Sequence, residues 1–162
     1  MSQIRIVKEY PHSPAKVWQV LTEPALIARW LMRPEGFRAQ IGARFRLVAK
    51  AEPGWRGFVE CEITELEAVR VLAYSWKGDD KGAPTTVRYT LEPTATGTRL
   101  IFEHTGFIGV GGFLLSKLML GPGWKKMMNK RLVELLGALG DDGTLDPNAK
   151  LAPKYGEAVD AA

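Results

Sequence analysis

The chain has 162 residues, 46% of them apolar, and a formal net charge of +4, which suits one domain with a modest tail and excludes the disordered class. Its single cysteine, Cys61, excludes an intramolecular disulfide and fits a reducing compartment. No signal-peptide core stands in "MSQIRIVKEY", and the longest uncharged run, "TGFIGVGGFLLS", falls short of the ~20 residues that span a bilayer, so a cytoplasmic protein with no membrane span is expected.

"QIRIVKEY" (Gln3 to Tyr10) alternates and predicts a first strand. In "HSPAKVWQVL", Ser13 suits a helix N-cap and Pro14 the first helical position, with Val17, Trp18 and Leu21 as an apolar stripe. Pro24 stops this helix. Thr22 is expected to cap a second short helix, "EPALIARWLM", with Leu26, Ile27 and Trp30 on one face.

The period then changes to two. "ARFRLVAK", "RGFVECEIT", "VRVLAYSWK", "TTVRYTLEP" and "GTRLIFEHT" are five further strands, giving about six in all. The joints "AEPGW", "ELEA", "GDDKGAP" and "PTATG" are turn-like and too short for parallel crossovers, so the strands form an antiparallel meander. The chain then carries a short, very apolar segment, "FLLSKLML", which Gly121 and Pro122 separate from a long helix. Trp124, Met128, Leu132, Leu135, Leu136 and Leu139 form that helix's apolar stripe. Lys125, Lys126, Lys130 and Arg131 form the densest basic group. With no zinc spacing or aromatic RNA-binding signature beside them they read as a solvated helix face, and nucleic acid is not an expected partner. Strand, two short helices, five strands and a long helix make an α+β domain over residues 1–140. Residues 141–162, poor in large apolar side chains, form a tail that is loosely ordered or lies as a surface arm, and its deletion is expected to leave the melting temperature nearly unchanged.

Alternation along the strands sorts the side chains into two faces. One carries Phe45, Leu47, Val59, Cys61, Ile63, Leu72, Tyr74, Trp76, Val87, Tyr89, Leu91, Leu100, Phe102 and His104; the other carries Arg44, Arg46, Glu60, Glu62, Arg70, Arg88, Glu92, Arg99 and Glu103. The first face packs on the long helix. Its polar tips, on Tyr74, Trp76, Tyr89 and His104, need partners when buried. Two readings follow: a ligand pocket with a few convergent polar groups, or a filled core whose tips reach protein partners.

"RLIFEHTGFIGVGGF" concentrates the chemistry. Glu103 and His104 are strand neighbours and point to opposite faces, so they form no dyad. The glycines at 106, 109, 111 and 112 match neither G-x-G-x-x-G nor a P-loop, and read as a hinge between strand and helix. His104 is either a hydrogen-bonded structural histidine or a ligand anchor. Asp79 and Asp80 fall in a turn, and Cys61 has no histidine near it in sequence. No metal site, cofactor or nucleophile–base motif is expected, and the chain reads more as a binding protein than as an enzyme.

Taken in order, "SPAKVWQVLTEPALIARWL", "GFVECEI", "VLAYSW", "TTVRYTLEPTATGTRLIFEHTGF" and the late "GW...L..LL" resemble homologues of the activator of the heat-shock-protein-90 ATPase, within the START-related helix-grip (SRPBCC) superfamily. The resemblance covers about residues 3 to 139. It implies a strongly curved antiparallel sheet gripping the C-terminal helix, two short helices closing one end, and a cavity between sheet and helix. It also implies binding of a small apolar or amphipathic molecule, lipid-like or polyketide-like. The expected lining is Trp30, Phe45, Val59, Cys61, Leu72, Tyr74, Trp76, Tyr89, Phe102, Phe113, Trp124 and Met128, with His104 and the two tyrosine hydroxyls orienting a polar end. "FIGVGGFLLSKLML" is a candidate gate over the mouth. Contact with a chaperone is the alternative that the family name carries; a cyclase-like or hydrolytic enzyme with His104 as general base is the other.

Overall fold

The structure is a computed structural model that describes residues 2–160, apart from the side chains of Ser2 and Phe113. The domain is α+β, as the element order predicts. Its strands are β1 (Ser2–Tyr10), β2 (Arg33–Glu35), β3 (Arg44–Val48), β4 (Phe58–Glu67), β5 (Val71–Trp76), β6 (Thr85–Thr94) and β7 (Gly97–Phe107). All seven pair antiparallel in the order β1-β7-β6-β5-β4-β3-β2. The last five strands form the expected meander, and β1 closes onto β7 with Ile4 opposite His104 and Tyr10 opposite Thr98. An irregularity between Ile63 and Glu65 in β4 adds to the bending that lets the sheet wrap a helix.

The seventh strand, β2, is the one the alternation missed. It has three residues, centred on Pro34 opposite Leu47. Proline donates no ladder hydrogen bond and is tolerated only on an edge, where β2 lies.

Helices α1 (Pro14–Thr22) and α2 (Pro24–Trp30) carry the chain from β1 at one edge to β2 at the other. The Ser13 side chain accepts from the Lys16 N–H at 3.3 Å, and α1 buries Val17, Val20 and Leu21. Thr22 was expected to cap α2 and does not. It is the last residue of α1 and its hydroxyl donates to the Trp18 carbonyl at 2.8 Å; Glu23 takes the cap position. Pro24 thus starts α2, whose Leu26, Ile27 and Trp30 are buried as predicted.

After β7 the chain is helical from Gly109 to Ala138: α3 (Gly109–Leu114), a π-helical stretch (Leu115–Leu120), α4 (Gly121–Lys126), a second π stretch (Met127–Arg131) and α5 (Leu132–Ala138). The glycine-rich run is the hinge into it, with Gly106 at φ +97° and Gly109 at φ +72°. Gly121 and Pro122 do not break this terminal helix. Pro122 comes one residue after the cap of a π stretch, Gly121, where the regular i→i−4 ladder is already interrupted. The π turns also explain the inward stripe: Ser116, Trp124, Met128, Leu132 and Leu136 are all buried, at intervals of four or eight. In a pure α-helix each step of four rotates about 40° too far. Wider i→i+5 turns remove that drift and keep the stripe on the sheet.

The inner face is as the alternation assigned it. Trp76, at 6%, is its most exposed member, and Leu132, Leu135 and Leu136 pack against the same core. Ion pairs lie on the outer face, with Arg44 on Glu62 and Arg88 on Glu65 at 3.0 Å each.

Beyond α5 the chain bonds back to α2 and β2. Arg29 donates to the Leu151 carbonyl at 2.8 Å and Arg33 to the Tyr155 carbonyl at 3.4 Å. Val159 then runs parallel to Glu35, donating to the Pro34 carbonyl and accepting from the Gly36 N–H at 2.9 Å each.

Candidate functional site

The twelve described side chains expected to line a site do come together. A chain of rings crosses the inner face: Phe45 on Tyr74 (centroids 5.2 Å), Tyr74 on Tyr89 (5.8 Å), Tyr89 on Phe102 (5.3 Å), and Phe102 on Trp124 of the terminal helix (4.3 Å). Trp30 meets Tyr89 edge-on at 6.4 Å, and Trp76 touches both Trp124 and His104 at 5.4 Å. Val59, Cys61, Leu72 and Met128 fill the same cluster. Phe113, also expected there, lies outside the described side chains.

The tips of Tyr74, Tyr89, His104, Trp30 and Trp124 have protein partners. The Tyr74 and Tyr89 hydroxyls bond each other at 2.7 Å, and the Trp30 indole N–H donates to the Val20 carbonyl at 2.8 Å. Burial pushes both hydroxyls, and the Cys61 thiol, above their ordinary values, so all three stay neutral. Tyr10 belongs to this group, although nothing singled it out beforehand. Its hydroxyl donates to the Met128 carbonyl at 2.7 Å, tying β1 to the second π stretch. The available signal was its even-numbered place in β1, in phase with buried Ile4.

His104 is fully buried and both its ring nitrogens are engaged. The Trp124 indole can only donate, so its N–H at 3.1 Å fixes His104 Nδ1 as an acceptor. Nε2 then carries the proton and donates to Thr85 Oγ1 at 2.7 Å; Thr85 passes its own proton to the Trp76 carbonyl at 3.2 Å. Burial pushes the imidazole pKa down to about 3, so this neutral tautomer persists through the physiological range. The relay joins β5, β6, β7 and the terminal helix. No carboxylate is among His104's hydrogen-bond partners, so the partner that a general base needs does not reach it.

The geometry corrects two expectations. The wall residues pack against one another where a cavity between sheet and helix was expected. His104 is spent on Trp124 and Thr85 rather than turned toward a ligand. Open space lies elsewhere. One groove of about 610 Å³ runs on the outer face among Arg44, Arg46, Glu60, Glu62 and Lys77, charges of mixed sign in which Arg44 pairs with Glu62 and Arg46 with Glu60. A second, of about 430 Å³, opens at the seam between the end of α2 and the terminal helix. Leu31, Met32, Gly123 and Met127 make its apolar part; Lys126, Lys130, Arg131 and Lys154 make a basic rim, with Glu134 as its one acid. Among the described residues no three His, Cys, Asp or Glu side chains group as metal ligands.

Comparison with known proteins agrees with this architecture. The family described as "Activator of Hsp90 ATPase homolog 1-like protein" matches residues 11–137. The uncharacterized protein Rv1546 of Mycobacterium tuberculosis is 28% identical over 145 residues, covering 85% of this chain and all of that protein. The crystal structure of MLL2253 from Mesorhizobium loti is 29% identical over 79% of this chain and 95% of that one, with a TM-score of 0.66. The solution structure of the Aha1 dimer from Colwellia psychrerythraea, 19% identical, shares the fold over 84% of this chain and 96% of that one, with a TM-score of 0.69. An antiparallel sheet closed on a terminal helix, matched by the family over most of its length, makes this chain a member of the Activator of Hsp90 ATPase homolog 1-like family, in the helix-grip superfamily.

Proposed function

We propose that the protein binds a small amphipathic molecule, lipid-like or polyketide-like, at the seam between α2 and the terminal helix. The apolar part enters between sheet and helix, and the anionic end stays on the basic rim. The observation that carries this reading is the composition of the seam groove, an apolar floor under four cations. Its floor residues Gly123 and Met127 adjoin Trp124 and Met128, which are buried against the aromatic wall. The second π stretch begins at Met127, and interrupted helix hydrogen bonding makes it the place for the helix to yield. The wall that fills the core in the closed state becomes the lining of the open one. The polar end falls to Lys126, Lys130 and Arg131 instead of His104.

Laurate, an anionic amphipath, tests this through tryptophan fluorescence and thermal shift. Saturable binding that shifts Trp124 emission is expected, with Lys130→Glu weakening it about tenfold, the worth of one charge-assisted bond. Laurate that leaves both emission and melting temperature unchanged would remove the proposal. Native mass spectrometry of protein purified from its own host identifies the natural occupant. Hsp90 ATPase rates with and without the protein test the chaperone contact that the family description carries.

A further inference from the structure

We infer that segment 108–119 docks the protein onto an anionic lipid surface. Six of the eleven exposed large apolar side chains among the described residues fall within it: Ile108 (75% exposed), Val110 (76%), Leu114 (47%), Leu115 (41%), Leu118 (70%) and Met119 (66%). Scattered exposed apolar residues are ordinary on a soluble protein, but a cluster in twelve positions marks a contact surface.

Charge identifies what that surface meets. From His104 to Val133 the sequence holds Lys117, Lys125, Lys126, Lys130 and Arg131 and no aspartate or glutamate, so five cations gather in a chain whose net charge is only +4. Lys117, Lys125, Lys126 and Lys130 are exposed, and none makes an ion pair among the described residues. The partner must therefore supply negative charge and an apolar phase together. A second copy docked about a two-fold axis would set like lysines against each other. Nucleic acid supplies the charge but no place for six aliphatic side chains. A bilayer surface with anionic headgroups supplies both: acyl chains take the apolar residues and headgroup phosphates take the lysines. The segment lies on such a surface and does not span it, since no described helix is long and apolar enough to cross. Glycines at both ends of its entry turn, Gly106 and Gly109, hold left-handed backbone angles and set the segment off from β7.

The docking does not depend on anything entering the seam groove, and its test keeps the two apart. Flotation with phosphatidylcholine vesicles, with and without about one quarter phosphatidylglycerol, reads the association directly. Binding is expected to the anionic vesicles only, and to weaken as salt rises. Leu118→Glu with Met119→Glu should lower vesicle affinity at least about tenfold. Lys117→Gln with Lys125→Gln should lower it roughly 25-fold, at about fivefold per lysine. All four positions are exposed and border neither groove, so circular dichroism and laurate binding should not change. Absence of wild-type flotation, or flotation indifferent to both double variants, overturns the inference. So does an ultracentrifugation result in which Leu118→Glu with Met119→Glu dissolves a dimer without altering vesicle binding, because the surface then belongs to a second copy.

Discussion

His104 should contribute its own share to acid destabilisation of this protein, and the size of that share follows from the relay around it. In the unfolded chain the imidazole titrates near 6.5; in the folded protein burial holds it down to about 3. A folded pKa below the unfolded one means that the unfolded state binds the extra proton between those values. Stability is therefore complete above pH 6.5 and declines as pH falls toward 3. At pH 5 the deficit from this residue is about 2 kcal/mol. The structural cause is explicit: a protonated Nδ1 would face the Trp124 N–H, donor against donor, in a site closed to water. Urea unfolding at pH 7.5 and pH 5, on wild type and His104→Phe, isolates the effect, because carboxylates elsewhere titrate alike in both. At pH 7.5 the variant should be less stable by about 1–3 kcal/mol, since the Trp124 N–H loses its acceptor. At pH 5 that gap should narrow by about 2 kcal/mol. Equal losses for the two proteins between these pH values would refute a buried, neutral His104.

Leu132, fully buried on the inward stripe, should cost about 2–5 kcal/mol when changed to alanine; a loss below about 0.5 kcal/mol in chemical denaturation would mean that the sheet does not grip the helix. Tyr10→Phe removes the bond to the Met128 carbonyl and should cost about 1–3 kcal/mol, with amide exchange rising first across the second π stretch. Deleting residues 141–162 should lower stability by about 2 kcal/mol in thermal melts, because Arg29 and Arg33 lose the Leu151 and Tyr155 carbonyls; an unchanged melting temperature would show those bonds to be worth nothing net.

Period-two alternation made the two sheet faces readable, because a strand whose one face is buried leaves no freedom of register. The same rule turned Glu103 and His104 apart, and both readings of His104 were open from there. What decided between them was tip geometry: Thr85 and Trp124 stand 19 and 20 residues away, and only their meeting across β6 and the terminal helix engages both ring nitrogens. A pocket wall and a filled core call for the same apolar residues, so the sequence could not tell an occupied space from an open one. Pro34 hid β2, since a proline in a three-residue run resembles a loop. Gly121 and Pro122 suggested a break in a helix that π turns carry past them. The tail's bonds to the domain were not legible for a different cause: its composition counts side chains, whereas Arg29 and Arg33 of the domain hold its backbone carbonyls.

The short parallel bridge between Val159 and Glu35 bears on solubility. An open sheet ends in two strands whose outer backbone groups are free to template another chain. At the β2 end, Val159 occupies the Pro34 carbonyl and the Gly36 N–H, the groups that an incoming strand would seek first. Pro34 offers no N–H of its own, so this margin is guarded twice, once by a residue that cannot donate and once by a bridging residue that is already seated. The last described residues of the chain thereby act as a built-in competitor against edge-to-edge self-association.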